Sequence, residues 1–167
     1  VKIAATAFDD SSGNSYAGIS DKTSLNFTTV DETAPTFSSA ATNTAGTKVI
    51  LTYNEALSAT TAATTAFAVT TGGSSNSVTA ATVSGSTVEL TLETTVKNDE
   101  AVTVAYTDPS GSNDANAIQD AAGNDVATLS STSVTNNSTV AGTAPTFSSA
   151  ATNTAGTKVI LTYNEAL

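Results

Sequence analysis

The chain has 167 residues, 5 Lys and Arg against 15 Asp and Glu, and a formal net charge of −10. That balance disfavours nucleic acid, whose binding needs clustered cations to release counterions, and electrostatic docking to anionic lipid. Cys, Met, Trp and His are absent while Ser and Thr number 55, so neither disulfides nor a Cys/His metal cage hold the fold.

In chain order, residues 1–32 carry the element Asp10-Ser-Ser-Gly13-Asn14 and close on the acidic pair Asp31-Glu32. The string TAPTFSSAATNTAGTKVILTYNEAL then begins at Thr33, and it recurs at Thr143 with all 25 positions identical, 110 residues later. Asp120-Ala-Ala-Gly123-Asn124 follows the first D-x-x-G-N element by the same 110 residues. A common domain size lies near that spacing, so the recurrence sets the frame of the whole reading. One complete unit is expected over residues 33–142. Residues 1–32 then read as the C-terminal part of a preceding repeat, and residues 143–167 as the N-terminal part of the next. Both ends of the chain look cut within a domain, and the absence of a leader or anchor says nothing about a longer parent.

Within the complete unit the apolar pattern has period two, the signature of strands. Phe37 opens a short first strand. In Thr47–Tyr53 the residues Val49, Leu51 and Tyr53 share one face, and Lys48 falls on the other. Leu57–Ala66, rich in Ala and Thr, suits a loop or one helical turn and is expected to be a loop. Further strands are predicted over Phe67–Val69, Val78–Val83, Val88–Leu92, Ala101–Tyr106 and Leu129–Val134. Gly and Asn/Asp turn residues separate them at Ala45-Gly46, Gly72-Gly73, Ser84-Gly85, Lys97–Asp99 and Asp108–Gly111. About seven short strands with such spacing predict an all-β fold, an antiparallel β-sandwich of immunoglobulin type.

Several strings carry a resemblance: T-A-P-T-F…K-V-I-L-T-Y-N-E-A-L, A-F-A-V, V-x-L-T-L, V-T-V-A-Y-T-D-P and I-Q-D-A-A-G-N. They resemble tandem bacterial Ig-like repeats of giant extracellular proteins, above all the repeat family named after a cyanobacterial cell-surface protein needed for swimming motility. Residues 1–36 look more like the end of a related Ig-like type, closing in an L-N-F-T-T strand. The resemblance implies an extracellular, surface-exposed array used for adhesion, motility or a filament. Its partners would be neighbouring repeats and other copies in a filament, with no nucleic acid and no direct membrane insertion.

Oxygen-bearing side chains cluster where such domains end, and calcium takes oxygen ligands. Glu55 lies just past a strand, Asp120, Asn124 and Asp125 share a loop, and Asp31-Glu32 precede Thr33. These are the expected calcium ligands, since similar arrays clamp successive domains with calcium at their junctions. The same residues also read as a polar turn with Asx hydrogen bonds and a left-handed Gly, with a solvated linker. The second junction, Val140-Ala-Gly-Thr143, lacks the acids of the first. A Lys–Asn isopeptide crosslink is disfavoured because Lys48 points outward. Catalysis is disfavoured too: no G-x-S-x-G, P-loop or His/Cys base is present to activate the many hydroxyls. Tyr53 and Tyr106 take the inward phase of their strands, leaving Tyr16 and Phe8 as the aromatic residues available to a carbohydrate-binding or partner-binding module, the rival reading. The expected function is a non-catalytic structural repeat of a long bacterial surface protein.

Overall fold

A computed structural model describes residues 2–21, 23 and 29–164. Two compact units divide the chain, Val1–Glu32 and Thr33–Leu167. In the second, the period-two pattern becomes alternating burial. Strand β2 (Lys48–Tyr53) buries Val49, Leu51 and Tyr53, and its other face is partly exposed. Strand β6 (Thr87–Leu92) likewise buries Val88, Leu90 and Leu92. Between these two strands the outward Lys48 Nζ pairs with the Glu89 carboxylate.

Strands β1 (Phe37–Thr42) and β5 (Val78–Ser84) flank that pair, giving one sheet in the order β1-β2-β6-β5. The other sheet runs β4-β3-β7-β8, with β3 at Phe67–Thr71, β4 at Ser74–Asn76, β7 at Val102–Tyr106 and β8 at Leu129–Val134. Within the sheets every pairing is antiparallel. The inward faces meet in one core containing Val49, Leu51, Tyr53, Leu90, Val104 and Tyr106. This is the sandwich that the alternation predicts. First and last strands also touch: Ala41 and Thr135 form a parallel bridge, with Thr42 N–H donating to Thr135 O (2.9 Å) and Thr135 N–H to Ala40 O (2.9 Å).

Strand β4 follows the turn expected at Gly72-Gly73 and lies on residues for which no element is predicted. Its sequence Ser-Ser-Asn shows no apolar alternation, and it is held instead by Asn76. That side chain donates to Thr94 O at 2.7 Å and accepts Thr94 N–H at 3.0 Å. The expected loop at 57–66 ends in a single 3₁₀ turn, Thr64–Ala66.

Both core tyrosines are buried, 3% exposed at Tyr53 and 0% at Tyr106. Burial raises both phenols, Tyr106 to about 12. They differ in their hydroxyls. Tyr106 Oη accepts the Ile118 N–H at 3.1 Å, whereas Tyr53 Oη is buried without a partner among the described residues. An unpaired buried hydroxyl costs desolvation with no return, and a lost bond strands its partner. Tyr53→Phe is therefore expected to match or exceed the wild type in urea midpoint, while Tyr106→Phe loses about 1 kcal/mol. Equal losses at both positions would contradict this hydrogen-bond assignment.

The second copy of the repeated string forms its own two-stranded sheet, β9 (Phe147–Thr152) with β10 (Val159–Tyr163). Its turn reproduces the first. Asn153 Oδ1 accepts the N–H groups of Thr157 and Lys158, as Asn43 Oδ1 accepts those of Thr47 and Lys48. Its burial does not: β9 is exposed throughout and β10 nearly so.

The first unit is an irregular hairpin with bridges Ile3–Ile19 and Asp9–Ser15. Phe8 and Tyr16 are 64% and 40% exposed, with ring centroids 6.4 Å apart. The L-N-F-T-T strand expected over 25–29 falls, but for Thr29, outside the described residues.

Candidate metal centre

The D-x-x-G-N element folds the same way in both units. Asp120 Oδ1 accepts three backbone N–H groups, from Ala122 (2.8 Å), Gly123 (2.7 Å) and Asn124 (2.9 Å). Its Oδ2 accepts Asn124 Nδ2 at 2.8 Å. Asp10 Oδ1 accepts Ser12 and Asn14 N–H, and its Oδ2 accepts Asn14 Nδ2. Gly13 and Gly123 both take positive φ, 82° and 92°, where a side chain is strained. Bridges Asp9–Ser15 and Gln119–Asp125 frame the two turns at the same 110-residue offset. Burial alone would raise Asp120, but the bonds from Asn124, Ala122 and Gly123 outweigh it and hold the carboxyl below its usual range. Asp10 is lowered chiefly by the Asn14 side chain.

Of the expected ligands, Asp120 and Asn124 thus build this turn, and Asn124 Nδ2 also reaches Thr33 O at 3.4 Å. Glu55, half-buried, brings a carboxylate oxygen within 4.8 Å of one from Asp120. Asp31 and Glu32 are exposed residues of the other unit. Asp125 departs from the turn and joins two residues that the sequence reading passed over. Asp108, Asp114 and Asp125, all half-buried, place carboxylate oxygens within 4.8 Å of one another.

The loop from Asp108 to Asn116 holds this group by its own polar side chains. Asp108 Oδ1 accepts Ser110 N–H at 3.4 Å, Asp114 accepts Ser110 Oγ–H and Asn116 N–H, and Asp125 Oδ2 accepts Asp114 N–H at 2.8 Å. Asp125 Oδ1 is shut from solvent and has no hydrogen-bond partner among the described residues. Burial, then the charges of Asp114, Asp108 and Asp120, push the Asp125 carboxyl above its usual range. Three close carboxylates with one orphaned oxygen suit a hard divalent cation, which would supply the missing partner and offset the repulsion. Asp120, with every oxygen engaged, has less to offer. A visible signal was available: Asp108, Ser110, Ser112, Asp114 and Asn116 put a side-chain oxygen at every second position.

Beside this loop lies an open cleft of about 540 Å³ lined by Thr61, Ala63, Thr65, Ala66, Thr107, Pro109 and Asn116. No ring lines it for a sugar to stack on. At the second junction, Asn98 N–H donates to Val140 O (2.8 Å) and Gly142 N–H to Asn98 Oδ1 (3.2 Å). A Cβ on Gly142 would stand 2.0 Å from Asp99 Oδ2, so this junction admits glycine where the first carries Glu32.

Residues 30–111 match the family model described as "Putative flagellar system-associated repeat", the SWM repeat. That segment is similar to an SWM repeat. The match bears out the resemblance carried by the TAPTF and KVILTYNEAL strings. Two solved structures are similar. The S-layer protein rSbsC(31-844) is 22% identical, with TM-score 0.49 over 72% of this chain and 15% of that one. The N-terminal part of the bacterial S-layer protein SbsC is 20% identical, with TM-score 0.48 over 80% of this chain and 33% of that one. The chain therefore spans a minor part of either. No curated protein matches it. Among the described residues no helix is long and apolar enough to cross a membrane.

Proposed function

We propose that the chain is a run of non-catalytic structural repeats from a long extracellular bacterial surface protein, a stalk, adhesin or filament whose length and stiffness are its function. The observation that carries this reading is that both repeated elements fold alike in each copy. The Asx turn recurs at Asp10 and Asp120, and the hairpin recurs at residues 37–53 and 147–163. The family match of residues 30–111 to a flagellar system-associated repeat supports a place on the surface or motility apparatus. In such arrays each unit meets mainly its neighbours, and stability and reach grow with copy number.

Calcium belongs to the same proposal. Asp108, Asp114 and Asp125 would hold it, with Glu55 and Asp120 a weaker second position. Its work would be to fix the 108–125 region at the end of each sandwich. The test of location is direct. Antibodies against residues 33–142 should label intact, unpermeabilised cells of the source bacterium, and external protease should remove that label. Label that appears only after permeabilisation would refute a surface role.

A further inference from the structure

The two identical strings differ only in surroundings, so the first shows what the second lacks. Val49 and Leu51 are 0% exposed, whereas their counterparts Val159 and Leu161 are 68% and 54% exposed. Phe147 is 59% exposed, while Phe37 packs against the core. Strand β2 has β6 along its second edge in the register Lys48–Thr91 to Thr52–Thr87, and among the described residues β10 has no strand there. Gly46 is pressed so near Val96 O that a Cβ would lie 2.2 Å from it, while nothing lies within 4 Å of one on Gly156. Lys158 stands where Lys48 meets Glu89.

We infer that the β9–β10 hairpin is a docking surface for the remaining strands of a repeat, a polypeptide with the sequence of residues 55–142 that lacks its own first hairpin. This rests on the reading of the chain as a repeat array and goes one step past it. Every group that seats β1–β2 in the complete repeat is matched on β9–β10 by an identical residue: the apolar face for the facing sheet, the edge for a Val-Glu-Leu-Thr-Leu strand, and the lysine for its glutamate. The turn is already formed by Asn153, so little ordering entropy is spent on docking. Because the strings agree at all 25 positions, nothing distinguishes the hairpin of a consecutive repeat from one on another chain. The hairpin can therefore complete a repeat in cis or join two chains in trans, a form of strand addition driven by backbone pairing and burial.

The experiment dilutes a polypeptide of residues 55–142 out of denaturant into the intact 167-residue protein. Light scattering after size exclusion should show a 1:1 complex, and amide exchange in 159–163 should slow at least about a hundredfold. Leu161→Asp alters an already exposed position and should abolish the complex while leaving the thermal midpoint of the complete repeat unchanged. Absence of a complex with the wild type, or equal binding by Leu161→Asp, would overturn the inference. Should the probe precipitate alone, residues 58–142 appended after Leu167 give the second readout: unchanged exchange in 159–163 would also overturn it. Surface labelling of cells is independent of either result, so failure here leaves the array reading separately testable.

Discussion

Leu51→Ala is expected to destabilise the protein by about 3 kcal/mol, and Leu161→Ala, the same substitution in the same 25-residue string, by no more than about 0.5 kcal/mol. Leu51 is 0% exposed and sits in the common core with Val49, Leu90 and Val104. Truncating it removes the transfer energy of the lost carbons and opens a cavity that two packed sheets cannot collapse around. Leu161 is 54% exposed, so its truncation removes no comparable contact. The loss at Leu51 is a large fraction of the roughly 5–15 kcal/mol that holds a domain together. Urea unfolding of the two variants decides the matter, with m unchanged in both. Similar losses would mean that β9–β10 is covered in solution, and would point to self-association of the chain.

Calcium should raise the thermal midpoint, and Asp125→Asn should remove that rise. A ligand that binds only the folded state adds about 2.7 kcal/mol at a hundredfold excess over Kd. In a domain of this size that corresponds to a shift on the order of 10 °C. Without calcium the sign reverses. The Asp125 carboxyl is raised above its usual 3.8, so between that value and its folded pKa the folded state binds more protons than the unfolded chain. Stability contributed by this group therefore falls as pH rises through that window, and Asp125→Asn in chelator should be more stable than the wild type at neutral pH. The lowered carboxyl of Asp120 acts oppositely: its contribution is present above the unfolded pKa and is lost as pH falls through the folded one. Differential scanning calorimetry of both proteins, with millimolar calcium and then with chelator, separates the two. A midpoint that ignores calcium in the wild type would refute the metal centre and leave the acids as loop organisers.

The sandwich was legible because its strands alternate strictly. Val49, Leu51 and Tyr53, or Val88, Leu90 and Leu92, announce a buried face without reference to anything distant. The Asx turn at Asp120 was legible for a similar reason, since all its bonds fall within four residues. Strand β4 was not, because Asn76 holds it through Thr94, 18 residues away and on another element. The grouping of acids proposed to hold calcium was only partly legible. Asp125 stood out beside Asp120, but Asp108 and Asp114 reach it only through the fold of the 108–116 loop, which proximity in sequence does not show. The duplicated hairpin shows the limit plainly: one string sets the same turn and register twice, yet cannot say which copy is covered.

The parallel contact between β1 and the end of β8 bears on what would happen if a repeat array of the kind proposed were pulled. Strand β1 runs alongside the end of β8, joined at Ala41 and Thr135 and continued by Asn137 N–H to Thr42 Oγ1 and Thr139 N–H to Thr44 O. Tension entering before Phe37 and leaving after Val140 acts along these strands in opposite directions. It slides β1 past β8 and past β2, so many bonds carry the force together and none peels open singly. Forced rupture follows the unfolding barrier rather than the equilibrium stability. In the proposed array, a repeat of ordinary stability, built from Val, Thr and Ala, would thus be a strong link.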